Sequence, residues 1–206
     1  MTQRFQIHPE NPQRRLIQQA VEILRQDGLI VYPTDSCYAF GWHTADHRSP
    51  ERLQRIRGTG KDHNFTLVCR DLSEIATYAR VENWCYRLLK AHTPGPYTFI
   101  LKATREVPRR LQNPRRQTIG IRVPDHPVPL ALLEGLGEPL LSSTLLLPGQ
   151  EVPLSDPEDI AAALAGRVEL LIDSGNCGIE PTTVVDVTGD FPVVVRQGRG
   201  ASDAFR

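Results

Sequence analysis

Apolar residues recur every three to four positions across residues 12–26. Leu16, Ile17, Ala20, Val21, Ile23 and Leu24 share one face, Pro12 stands at the head, and Asp27-Gly28 follows as a stop. This spacing predicts an amphipathic helix laid on a core. The pattern then changes to an unbroken apolar run over 29–32, which predicts a buried strand leading into the loop Pro33-Thr34-Asp35-Ser36. Similar runs predict strands over 65–69, 97–103, 118–123, 139–145, 168–172, 183–187 and 193–196. Helical spacing returns between them. Ser49-Pro50-Glu51 opens a helix to Arg57, Asp71 with Glu74 reads as a capping box, and further helices are expected over 82–92, near 128–134 and over 157–165, the last opened by Ser155 with Glu158. Eight strands and six helices in alternation, with no long linker or repeat, predict one α/β domain spanning residues 1–206.

Composition narrows the class. Of 206 residues, 40% are hydrophobic and 23% charged, a balance that suits a folded chain rather than a disordered one. No apolar run approaches the ~20 residues of a membrane span, and the first fifteen residues lack the apolar centre of a secretory signal. Cys37, Cys69, Cys85 and Cys177 are scattered with no Cys-x-x-Cys pair. Free thiols and a cytoplasmic location are the expectation, with no membrane partner.

Charge adds a feature that the neutral total conceals. Residues 48–122 carry 16 basic and 6 acidic side chains, a local +10, and the remainder carries the balancing −10. Of the 24 cations 21 are arginine, the residue suited to a planar, bidentate grip on phosphate or carboxylate. Either the basic segment pairs with the acidic C-terminal half, or it offers an anion-binding face.

Candidate chemistry is mostly excluded by spacing. Gly58-Thr59-Gly60-Lys61 has Arg55 and Asp62 where a P-loop needs Gly and Ser or Thr, and it follows a helix. The six histidines are dispersed, so no metal site is expected, and no Gly-x-Ser-x-Gly elbow occurs. What remains is a set of hydroxyl-bearing loops at strand ends: 33–36, 93–98, Ser142-Ser143-Thr144 beyond an apolar strand, and 175–183. Hydroxyls and free N–H groups at strand ends suit phosphate and carboxylate oxygens.

Five stretches, taken in order, resemble the YrdC/YciO family, nearer its YciO branch. They are Pro33-Thr34-Asp35-Ser36-Cys37-Tyr38-Ala39-Phe40-Gly41, Pro94-Gly95-Pro96-Tyr97-Thr98, Gly120-Ile121-Arg122-Val123-Pro124-Asp125-His126-Pro127, Pro181-Thr182-Thr183-Val184-Val185-Asp186 and Val195-Arg196-Gln197-Gly198. The resemblance implies a single YrdC-like domain, a twisted mixed sheet with flanking helices and a concave basic cleft. It also implies synthesis of threonylcarbamoyl-adenylate from L-threonine, bicarbonate and ATP for tRNA modification, or, alternatively, double-stranded RNA binding without catalysis. Carried over by motif, Thr34 would touch threonine, while Arg57, Asn64, Thr98 and Arg196 would hold ATP or the adenylate. Arg122 and Thr182 would line the threonine and phosphate region, with Ser142 and Thr144 near the nucleotide. No covalent nucleophile is required, because such a reaction needs cations and N–H donors on phosphates. No tightly bound cofactor is expected; ATP enters as substrate, with Mg²⁺ carried on it. RNA contact is expected from Arg55, Lys61, Arg109, Arg110, Arg115 and Arg116. The chain departs from the synthases in Arg55-Ile56-Arg57 for Lys-x-Arg, in Thr144-Leu145-Leu146 for Ser-x-Asn, in extra residues between Arg57 and Asn64, and in Cys69 for His.

Overall fold

Alternation within the central strands sorts their side chains onto two faces of one sheet, and each face has its own core. The computed structural model describes residues 1–60 and 63–206. In chain order the elements are β1 (Gln3–Gln6), α1 (Arg14–Arg25), β2 (Ile30–Tyr32), β3 (Ala39–His43), α2 (Ser49–Arg57), β4 (Thr66–Val68), α3 (Leu72–Tyr78), α4 (Asn83–His92), β5 (Tyr97–Lys102) and β6 (Thr118–Arg122). They continue with α5 (Pro127–Leu136), β7 (Leu140–Thr144), α6 (Pro157–Leu164), β8 (Leu170–Asp173), β9 (Thr183–Asp186) and β10 (Val193–Arg196). The strands form an open sheet in the order β1-β8-β2-β3-β7-β4-β6-β5-β9-β10. It is mixed: β8 runs parallel to β1 and β2, β4 to β6 and β5 to β9, while the other neighbours are antiparallel.

One face buries Val31 of β2, Phe40 and Trp42 of β3, Leu67 of β4, Leu141 of β7 and Leu171 of β8, against α2, α3, α4 and α6. The other buries Ile30, Tyr32, Ala39, Val68, Leu140, Leu170 and Ile172 under α1 and α5. Gly41 of β3 is there because a Cβ would lie 2.8 Å from the Tyr32 ring and 2.9 Å from Leu140. Helices α1 and α5 cover only the part of that face near β8, β2 and β3. Across β4, β6, β5 and β7 the same face carries Thr66, Gly120, Arg122, Thr98, Ser142 and Thr144 where a covered sheet would carry Val or Leu.

Four expectations need correcting. The sheet has ten strands rather than eight, since β1 and β3 were not foreseen. Edge strand β1, Gln3–Gln6, is largely exposed and shows no apolar run. Ser142-Ser143-Thr144 lies inside β7, as the strand expected over 139–145 has it, and not in a loop capping that strand. Asp156, not Ser155, caps α6, its carboxylate accepting from the Glu158 N–H. Asp71 does cap α3 by accepting from the Glu74 N–H, but the Glu74 carboxylate turns to the Arg70 N–H and guanidinium instead of completing a box. Among the described residues no helix is long and apolar enough to cross a membrane.

Candidate functional site

The uncovered part of the sheet forms the floor of a cavity of about 320 Å³. All nine residues expected at a small-molecule site line it: Thr34, Arg57, Asn64, Thr98, Arg122, Ser142, Thr144, Thr182 and Arg196. Their hydroxyls and cations are not equally free.

Arg57 is the last residue of α2, and Gly58 in the left-handed region (φ 65°) turns the chain away behind it. The half-buried guanidinium reaches across to β7. Its Nε donates to Leu146 O (3.2 Å), and its Nη1 lies against His63 Nε2 (2.7 Å) and donates to Ser143 Oγ. No carboxylate pairs with it among the described residues, and Nη2 has no protein partner there. Burial first, and Arg196 second, lower its pKa.

Arg196 arrives by a different device. Val194 pairs with Val185 on the core face, but Arg196 pairs with Val184, so β10 holds one extra residue there. This bulge moves Arg196 from the parity of Val194 to the cavity face of Val184. At the rim it donates from Nη2 to Thr182 O (2.8 Å), and Thr182 Oγ1 meets Thr98 Oγ1 at 2.8 Å.

Arg122, at the end of β6, is 7% exposed and already engaged. It makes a close ion pair with Asp35, and Nη1 donates to Ser36 Oγ (3.2 Å). Arg122 Nε and Asp35 Oδ2 are buried without a protein partner. Thr34 lines the cavity, yet its hydroxyl donates to Cys37 O (2.6 Å) and accepts from the Ser36 and Cys37 N–H groups, holding its own loop. Ser142 is similarly committed, bonded to Phe40 O (2.9 Å) and Tyr32 OH (2.7 Å). Burial pushes the Tyr32 phenol up to about 12.

Asn113 Oδ1 accepts from the N–H groups of Arg115 and Arg116. Because backbone N–H groups only donate, the Asn113 amide must turn its NH₂ toward Asn64 Oδ1 (3.2 Å). Asn64 thus presents its own NH₂ as donor.

His63, Asn113, Thr66 and Thr118 also line the cavity and were not singled out from the sequence, while Ser143, noted only within the hydroxyl stretch 142–144, was given no role. The one available signal for His63 was its place in the extra residues just before Asn64. Burial first, and the Arg57 charge second, hold its imidazole down at about 4. Of the residues expected to contact RNA, Arg116 lines the cavity, donating to Asp186 Oδ2 (2.8 Å) and Thr188 Oγ1 (2.9 Å). Among the described residues the others do not line it. Arg55 lies on the exposed side of α2, 3.6 Å from Glu51; Arg109, Arg110 and Arg115 sit on the connection from β5 to β6, Arg110 donating to Thr44 O. Lys61 lies outside the described residues.

The sequence and fold of the chain are similar to those of known proteins. The family model Sua5_yciO_yrdC, described as telomere recombination, matches residues 22–198. YciO of Escherichia coli (strain K12) is 58% identical over 205 residues, 100% of each chain, and its crystal structure superposes with a TM-score of 0.96. A threonylcarbamoyl-AMP synthase of Chromobacterium violaceum is 32% identical over 87% of this chain and 92% of its own. Sua5 of P. abyssi, crystallised with L-threonine, has a TM-score of 0.86 at 26% identity, over 96% of this chain and 58% of that one.

Proposed function

Since the chain belongs to the Sua5/YciO/YrdC family, we propose that its cavity binds ATP and L-threonine and that the protein forms threonylcarbamoyl-adenylate from L-threonine, bicarbonate and ATP. The observation that carries this reading is Arg57: a half-buried guanidinium lining the cavity, with no carboxylate partner and no partner for Nη2 among the described residues. Leaving a cation partly desolvated is costly unless an anion completes the site. A triphosphate does so, and Arg196 at the rim, with the Asn64 amide, supplies further donors for it.

In this scheme the residues bind and orient, and none attacks. The threonine amine and bicarbonate condense to the carbamate with loss of water, the carbamate's carboxylate oxygen bonds to the α-phosphorus of ATP, and pyrophosphate leaves. The charge that develops on the transferring phosphate and on pyrophosphate is met by Arg57 and Arg196. The Asp35–Arg122 pair, with Oδ2 and Nε unpartnered, suits an amino acid's ammonium and carboxylate once the loop at 34–37 gives slightly. The cavity wall supplies hydroxyls, amides and guanidinium groups, a donor set that fits Mg²⁺ travelling on the phosphates of ATP. Leu146 places an apolar side chain in the wall where the synthases carry Asn, so turnover is expected to be slow.

The test is pyrophosphate release from full-length protein. It should require ATP, L-threonine and bicarbonate together and should fall at least tenfold in Arg57→Ala. ATP binding without pyrophosphate release would reject the enzyme reading and leave a nucleotide-binding cavity.

A further inference from the structure

His63 is the one histidine in the cavity wall among the described residues, and its surroundings are unusual for an imidazole. Its Nε2 lies 2.7 Å from Arg57 Nη1 and 3.2 Å from Ser143 Oγ. A guanidinium only donates, so Nε2 must accept, and the ring is neutral with its proton on Nδ1. A protonated ring would aim an N–H at another cation. The lowered pKa of about 4 has this cause together with burial.

Burial, the larger cause, stays when a ligand binds, but an anion at Arg57 offsets the second cause, the guanidinium charge. A phosphate oxygen accepts the guanidinium N–H groups now turned to His63 and Ser143, and it brings a negative acceptor to the same spot. An opposite charge within about 4–6 Å raises a pKa by roughly 1–3 units. We infer that an anionic ligand of this cavity is gripped between Arg57 and His63, and that His63 takes up a proton from solvent as the ligand binds. One N–H bond forms at Nε2, the proton comes from the buffer, and no other bond changes. The inference rests on the cavity being the nucleotide site proposed above.

The groups around His63 come from four elements. Helix α2 contributes Arg57, the charge that acts on it, and β10 contributes Arg196, which acts on Arg57. Strand β7 contributes the uncharged Ser143, and the Phe65 ring, beside β4, packs edge-on with centroids 5.5 Å apart. Lys61 and Asp62, its neighbours along the chain, lie outside the described residues.

Titration calorimetry of ATP into the full chain, in two buffers of different ionisation enthalpy, reads the protons exchanged. Near about pH 6, wild type should take up roughly 0.1–0.9 of a proton per ATP beyond His63→Gln, as a pKa raised by 1–3 units requires, and the difference should vanish above about pH 8. The comparison cancels the proton that ATP itself exchanges. Nitrogen NMR of the wild-type imidazoles supplies a readout that needs no variant: His63 Nε2 should shift from unprotonated to protonated on saturation with ATP. Equal uptake in both proteins, or an Nε2 that stays unprotonated in the complex, would overturn the inference while leaving the nucleotide reading intact. Absence of any ATP binding would remove both.

Discussion

Arg57 and His63 show how much a single side chain's neighbours decide. Lysine at position 57 could not bond Leu146 O, Ser143 Oγ and His63 and still keep a donor for a ligand, because only the guanidinium has five donors in a fixed fork. Arg57→Ala should weaken ATP binding roughly 10- to 100-fold, the equivalent of about 1.5–3 kcal/mol for a lost charge-assisted contact. Arg105→Ala, on an exposed residue outside the cavity, should leave affinity within about twofold. Calorimetry on the two folded variants compares them, and equal losses would refute the assignment. His63 also sets a pH dependence on stability. Its pKa is depressed in the folded state, so its contribution is complete above its ordinary 6.5 and is lost as pH falls toward about 4. Denaturant unfolding of His63→Gln at pH 7, 5.5 and 4.5 should lose less stability across that window than wild type does. Parallel losses in the two proteins would show that His63 is not buried as a neutral ring.

At the level of elements, the cavity exists because β6 and its neighbours carry small or polar residues on one face. A Cβ on Gly120 would lie 3.3 Å from Thr98 Cγ2 and 3.7 Å from Thr66 Oγ1, so a side chain there would rise from the floor between them. Gly120→Val suits a strand backbone, and its two methyls occupy ligand space. It should cut ATP affinity at least about tenfold, while the melting temperature moves by only about 2–4 °C for each kcal/mol of packing strain. Undiminished binding would mean that the ligand avoids the floor. The segment after β7 permits a gain rather than a loss. Leu146 is only half-buried, and its carbonyl already fixes Arg57, so Leu146→Asn adds an amide to the wall without removing a core residue. Pyrophosphate release should rise in that variant, whereas Arg55→Lys, on an exposed residue paired with Glu51, should change it less than about twofold. No gain in the folded Leu146→Asn protein would place the limit on turnover elsewhere.

Across the whole molecule, the segregated charge is partly cancelled by folding. Arg4 meets Glu158 and Asp173, Arg52 meets Glu169, Arg116 meets Asp186 and Arg122 meets Asp35, pairs that join distant segments. Arg105, Arg109 and Arg115 stay exposed and have no ion pair among the described residues. If structured RNA binds this connection, log affinity against log salt should fall by about 0.7–0.9 for each phosphate neutralised. Charge reversal at Arg109 and Arg115 should then flatten the slope by about two while leaving ATP binding unchanged. Undetectable or salt-insensitive binding at low ionic strength would assign these arginines no nucleic-acid role.

The periodic elements were legible in the sequence because period and burial are local signals: α1 carries an apolar stripe, and β2, β7 and β8 carry buried runs. The nine candidate site residues were reached through the family resemblance and not through periodicity, since Thr34, Asn64 and Thr182 lie outside the strands and Arg57 ends a helix. β1 was not, because an exposed edge strand has no face to hide and so no pattern. His63 and Asn113 became part of the cavity only through tertiary structure, and Ser143 gained its contact to Arg57 only there. Arg57 and Ser143 are 86 positions apart and meet because α2 ends over β7; Asn64 and Asn113 are 49 apart and meet across the cavity wall. The face that Arg196 occupies was also beyond local reading, because one extra residue against β9 reverses the parity of everything after it. Residue types and periods therefore determined the elements and the polar inventory of this protein. Which of those polar groups are left free was decided by long-range packing, which engages the hydroxyls of Thr34 and Ser142 and leaves Arg57 without a counter-charge among the described residues.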